Sequence, residues 1–137
     1  MTLNRVFIDT SYFKAGIDEK DEFHTRALAI AAKLEEEEAE FVTTNFVLDE
    51  AFTLLRIKSG VESARKFYKF LAETGNEIEL VRVSAKDEKR AWNWFWNDWS
   101  KLSFTDCTSF AVMERLGIKR AATFDDHFAK ARFETTM

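Results

Sequence analysis

Short β-branched or apolar runs alternate along the chain with longer stretches whose apolar positions recur at helical spacing. Arg5–Asp9 (RVFID) reads as a strand and Asp21–Glu37 as a helix. Glu40–Thr43 (EFVT) reads as a short strand, followed by helices over Thr44–Ser59 and Val61–Thr74 that Gly60 separates. Ile78–Val83 (IELVRV) alternates as a half-buried strand does. Ser84 caps the next helix, with Asp87 as its capping-box partner, and that helix extends to about Trp99. Thr105–Leu116 forms a helix stopped by Gly117, Arg120–Thr123 a strand, and Asp125–Ala131 a last short helix. Strands alternating with helices predict an α/β fold with a mostly parallel central sheet flanked by helices on both faces.

Composition narrows this picture. At 137 residues, with 46% hydrophobic and 15% aromatic side chains, the chain suits one globular domain over residues 1–137. No internal repeat or linker divides it, and proline is absent, which leaves the helical patterns uninterrupted. Its apolar runs are far too short for a membrane span, and MTLNRVFIDT reads as a first strand rather than a signal peptide. The lone Cys107 cannot form an internal disulfide, and no Cys/His spacing suggests zinc; the expected location is the cytoplasm. A net charge of −4 argues against a protein that holds nucleic acid by phosphate neutralisation alone. It leaves room for a nuclease, whose acidic centre is neutralised by metal.

Four carboxylates are the candidate chemistry. Ligands of open parallel sheets bind beyond the carboxyl ends of the strands. Asp9 ends the first strand and Asp125 follows the strand Arg120–Thr123, although either could simply cap what comes next. On a helical wheel of Thr44–Ser59, residues Phe46, Val47, Ala51, Leu54, Leu55 and Ile57 define an apolar face. Glu50 falls within that sector, whereas Asp49 faces the opposite way, near Arg56. A carboxylate on an apolar face needs a partner or a function, because burying it unpaired is costly. Asp106 lies in the first turn of its helix on the side of Phe110 and Met113, with Thr105 expected as the cap. A favourable interaction with the helix dipole is the plainer account of Asp106. If the four carboxylates converge, their mutual repulsion calls for a cation, and all-oxygen ligands suit Mg2+ or Mn2+.

The segments FIDTSYF (Asp9), TTNFVLDEAFTLL (Glu50), LSFTDCTSFAVMERLGI (Asp106) and AATFDDHF (Asp125) resemble, in order and spacing, those of PIN domains, and among these the VapC-type toxins of toxin–antitoxin pairs. The resemblance covers nearly the whole chain; its most specific parts are the Asp106 segment and Thr123-x-Asp125. It implies a PIN-like fold and magnesium-dependent endoribonuclease activity. Asp9 and Asp106 would bind metal most directly, with Glu50 and Asp125 completing the acidic pocket, often through water. Asp126 competes with Asp125 for the last role, and the spacing after Thr123 favours Asp125. The resemblance further implies a homodimer, and an antitoxin whose Arg reaches the carboxylates.

Other signals have plainer readings. Trp92, Trp96 and Trp99 lie at i, i+4 and i+7, the spacing of a buried stripe, with Trp94 pointing elsewhere; base stacking is the alternative. Glu35–Glu38 is a solvated helix end, and Arg65, Lys66, Lys69, Lys86, Lys89 and Arg90 are scattered surface cations that could line an RNA path. Cys107 reads as a small buried residue, not a nucleophile. A haloacid-dehalogenase phosphatase needs a second Asp where Ser11 stands, and a receiver domain needs an Asp where Ser84 stands. A PIN-like domain that binds RNA or a partner without cutting is the remaining alternative. Toxin and housekeeping nuclease are not separable from these residues, nor is the target RNA.

Overall fold

The computed structural model describes residues 4–136. The first strand, β1 (Arg5–Ile8), sits in the middle of a five-stranded sheet, every neighbouring pair parallel. On one side lie β2 (Glu40–Thr44) and then β3 (Ile78–Val81); on the other lie β4 (Arg120–Ala122) and then β5 (Glu134–Thr135), giving the order β3-β2-β1-β4-β5. Successive residues of a strand face opposite sides of a sheet, and Val6 and Phe7 are both fully buried, so both faces of the central strand are covered. Among the described residues the helices are α1 (Thr10–Ile17), α2 (His24–Glu36), α3 (Asn45–Ser59), α4 (Val61–Thr74), α5 (Ala85–Phe95), α6 (Phe104–Leu116) and α7 (His127–Lys130).

The main core gathers Phe7, Val42, Val47, Leu55, Phe67, Phe110 and Phe128, while Val6, Ala122 and Leu34 of α2 form a smaller cluster. Within α6, every residue from Asp106 to Met113 is buried. A helix enclosed on all sides in this way forms the interior of the domain, and it carries Asp106 with it. The Ser103 hydroxyl caps α6, and Gly117, in the left-handed region at φ 69°, closes it.

Several boundaries differ from the sequence reading. The helix α1 was not foreseen; Asp9 caps it and its buried side is Thr10, Phe13, Ala15 and Ile17. The helix α2 begins at His24 and not Asp21, because the Asp21 carboxylate accepts a bond from the Phe23 backbone and pairs with Lys14. The helix α5 stops at Phe95, short of Trp99, where the Asn97 backbone and side chain both donate to the Trp94 carbonyl. Such local bonds compete with helix continuation. The tryptophan stripe holds for Trp99 and fails for the other three. Trp92 and Trp96 are 45% and 72% exposed, whereas Trp94 and Trp99 pack on the core.

Candidate active site

The chain order reverses between β1 and β4, and this switch point is where a doubly wound sheet opens a crevice beyond its strand ends. Asp9 leaves β1 there, its backbone N–H still bonded to the Ala122 carbonyl of β4. Its side chain is 2% exposed. Oδ2 accepts hydroxyl bonds from Ser11 and from Thr123, each 2.8 Å. Those hydroxyls in turn accept the backbone N–H groups of Phe124 (2.9 Å) and Asp125 (3.0 Å). Each hydroxyl has one proton, already committed to Asp9, so the 3.2 Å approach of Ser11 to Thr123 is a contact between two acceptors. The consequence is asymmetric: Oδ1 of Asp9 is buried and has no partner.

Asp106 comes from the first turn of α6. Its Oδ2 accepts the Ser103 backbone N–H at 3.2 Å while its own N–H donates to Ser103 Oγ, a reciprocal capping box. Ser103, not Thr105, is therefore the cap, and Asp106 takes part in the capping itself. That role does not exhaust the carboxyl. Burial, then the charges of Asp9, Asp125 and Glu50, push its pKa up to about 8 against the pull of the Ser103 N–H. Burial is also the main reason that the Asp9 pKa stands at about 6, with Asp125 adding to the rise and the Thr123 and Ser11 hydroxyls opposing it. Two of these acids thus hold protons more tightly than free carboxylates do, because the pocket concentrates negative charge away from water.

Asp125 is half-buried, its Oδ1 accepting the His127 backbone N–H at 2.8 Å; Asp126 is exposed and makes no cap bond. Glu50 is half-buried on the flank of α3, whose buried line is Val47, Ala51 and Leu55; Asp49 is exposed. Ile57, assigned to the same apolar face from the sequence, is 75% exposed. Around the pocket, Ser11, Asp125 and His127 line a cleft of about 730 Å³ whose other walls include Lys14, Lys101 and Lys130. These lysines share the cleft with Asp125, Lys14 being paired with Asp18 and Asp21, and none was singled out from the sequence. Arg65 pairs with Glu62, and Lys66 and Lys69 line a different and larger groove beside α1, α2 and α4. Cys107, next to Asp106, is fully buried, and burial with the Asp106 charge pushes its thiol up to about 12, so it is no nucleophile.

His127 was missed. Its side chain is 5% exposed, with Nε2 2.7 Å from the Ser100 carbonyl and Nδ1 2.7 Å from Asp125 Oδ1 and 3.3 Å from Asp106 Oδ2. Burial alone lowers its pKa, but the Ser100 carbonyl and the charges of Asp125 and Asp106 outweigh that and hold it above the ordinary value. The signal available in the sequence was its position two residues after Asp125.

A buried carboxylate oxygen without a partner and neighbouring acids that resist ionisation fit a divalent-cation site, and the lysines of the adjoining cleft fit an anionic substrate. Fold and site together define a PIN domain. The PIN domain family profile matches residues 6–134, and the chain belongs to that family. Among its curated relatives is the 23S rRNA-specific endonuclease VapC20 of Mycobacterium tuberculosis, from strains CDC 1551/Oshkosh and ATCC 25618/H37Rv. Each is 35% identical over 129 residues, covering 93% of this chain and 95% of the relative. The crystal structure of Mycobacterium tuberculosis VapC20, described as a Sarcin-Ricin loop cleaving toxin, matches with a TM-score of 0.80 and 32% identity over 93% of this chain and 95% of that one.

Proposed function

We propose that this protein is a metal-dependent endoribonuclease, the toxin of a toxin–antitoxin pair, with Asp9, Glu50, Asp106 and Asp125 as its catalytic carboxylates. The observation that carries the reading is Asp106, a 4% exposed acid pressed by three other carboxylates at the switch point of a PIN fold. Asp9 and Asp106 would hold a divalent cation, Mg2+ or Mn2+, with Glu50 and Asp125 completing the acidic pocket. When bound, the cation offsets the carboxylates, activates a water for attack and stabilises the charge that develops on the phosphate. The chain's own groups do the positioning. Ser11 and Thr123 fix Asp9 with Oδ1 presented, Glu50 and Asp125 would accept protons from water, and Lys101 and Lys130, on the cleft that Asp125 lines, attract the RNA backbone.

Because VapC20 is named for 23S rRNA and described as cleaving the Sarcin-Ricin loop, an rRNA hairpin of that loop is the first substrate to try. An antitoxin segment with an Arg directed at the carboxylates inhibits the enzyme, and the exposed aromatics Tyr68, Trp92 and Trp96 suit a homodimer or antitoxin contact. Incubating the protein with the hairpin in Mg2+ or Mn2+, and again in EDTA, tests the chemistry. Cleavage only with metal, absent in Asp106→Asn, is expected; equal cleavage in EDTA overturns it. A sedimentation run showing only monomer at micromolar concentration removes the dimer.

A further inference from the structure

The histidine beside the carboxylates has no place in a four-acid account. Its Nε2 faces the Ser100 carbonyl, which can only accept, so Nε2 carries the hydrogen. In the neutral ring Nδ1 then bears the lone pair. That atom is buried, has no hydrogen-bond partner of acceptable geometry and is aimed at two carboxylate oxygens. Lone pairs gathered so closely need a positive centre among them: a proton on Nδ1 while the site is empty, and a cation when it is filled. Asp106, Asp125 and His127 each offer one ligand atom, all within 4.8 Å of one another. The spacing is informative: adjacent ligands of an octahedral ion with bonds of about 2.1 Å lie about 3.0 Å apart. The observed 2.7 Å and 3.3 Å fall on either side of that value.

We infer that His127 Nδ1 is a metal ligand, so that the cation is held by a mixed nitrogen and oxygen set that includes Asp106 and Asp125. The supporting structure is that of a metal-binding imidazole. A carbonyl on the far nitrogen fixes tautomer and ring orientation, and Trp99 lies parallel to the imidazole, with an interplanar angle of 8° and centroids 6.5 Å apart. Lys101, next to Ser100, adopts φ 61°, an uncommon conformation for a residue with a side chain. The backbone that delivers the Ser100 carbonyl is therefore itself specifically shaped. Imidazole binds transition metals far better than it binds Mg2+, so this ligand set selects Mn2+ over Mg2+.

The inference rests on the metal-dependent reading above and can fail without it. The test is electron spin-echo spectroscopy of untagged protein loaded with Mn2+, grown with natural-abundance histidine and again with 15N-histidine. The expected result is 14N modulation from a coordinated imidazole that changes to 15N on labelling. It persists in His24→Gln and vanishes in His127→Gln, whose amide can still donate to Ser100. In the same variant, Mn2+ affinity by calorimetry falls about 10-fold or more while Mg2+ affinity falls less. Bound Mn2+ with no histidine coupling overturns the ligand assignment and leaves the nuclease reading standing. No Mn2+ or Mg2+ binding at all overturns both.

Discussion

The hydroxyl of Thr123 donates to Oδ2 of Asp9 across 114 positions of sequence, at 2.8 Å and out of contact with solvent. This bond links the side chains at the ends of β4 and β1, and together with the Ser11 hydroxyl on the same oxygen it leaves Oδ1 without a partner. Thr123→Val keeps the shape of the side chain and removes the donor. The variant should cleave RNA about 10- to 100-fold more slowly, the usual range for groups that orient a metal-binding carboxylate. Thr123→Ser should recover most of the loss. Steady-state kinetics against metal concentration check this: the deficit should shrink as Mn2+ is raised, and a loss indifferent to metal would count against the positioning role.

Glu50 and Asp49 are adjacent acids on α3 with different surroundings, one half-buried and one exposed. Glu50→Gln should lower cleavage by about 100-fold or more, in the range seen when a positioned proton acceptor is removed. Asp49→Asn should leave the rate nearly unchanged. The reverse ranking would mean that the cleft is lined by the other face of α3.

A second buried acid has a structural role. Asp87 is completely buried, and Arg115 of α6 donates to its two oxygens at 2.9 and 2.8 Å, fastening α5 to α6 while Asp87 also caps α5. Burial alone would raise its pKa, but Arg115 and Ser84 outweigh that and hold it below the usual value. Arg115→Met leaves a buried carboxylate unpaired and should cost about 3 kcal/mol, with a fall in Tm of about 10 °C. The pair's contribution is present above the unfolded carboxylate pKa of about 4 and is lost as pH falls through the depressed folded value. Cleavage per folded molecule should be unchanged. Thermal melts at pH 7 and pH 3 check the sign: the difference between parent and variant should narrow in acid.

The same pair explains what the sequence could and could not reveal. The Ser84–Asp87 capping box is local, and it occurs as expected; so do the stops at Gly60 and Gly117. The phase of α5 is not local. Its buried residues are Asp87 and Ala91, with Trp94 packed on the core after them, and Arg115 of α6 neutralises the buried acid. Hydrophobicity favours Trp92 and Trp96 over an aspartate and an alanine, and so it places those two on the wrong side, while Trp99, beyond the helix, packs on the core as expected. At the site, the strand ends and the helix turn that carry Asp9, Asp106 and Asp125 follow from the alternating pattern. His127 does not, because its significance depends on the Ser100 carbonyl, 27 positions away, fixing the ring.

The raised acids make metal-free stability depend on pH in a definite direction. Unfolded, Asp106 and Asp9 ionise near pH 4; folded, they do so at about 8 and about 6. Between these limits the folded protein binds more protons than the unfolded chain, so stability falls as pH rises. Each group contributes at most about 1.4 kcal/mol per pH unit, and the decline ends above its folded pKa. Metal-free protein should therefore melt higher at pH 5 than at pH 8. Asp106→Asn cannot ionise, and its side-chain carbonyl can still accept the Ser103 N–H, so the capping survives. In EDTA at pH 8 the variant should melt above the parent, and the advantage should fade towards pH 5. Mg2+ or Mn2+ in the millimolar range should stabilise the parent by mass action and the variant much less. A variant that melts below the parent in EDTA at pH 8, beside a parent indifferent to both metals, would show Asp106 to be a helix cap and nothing more.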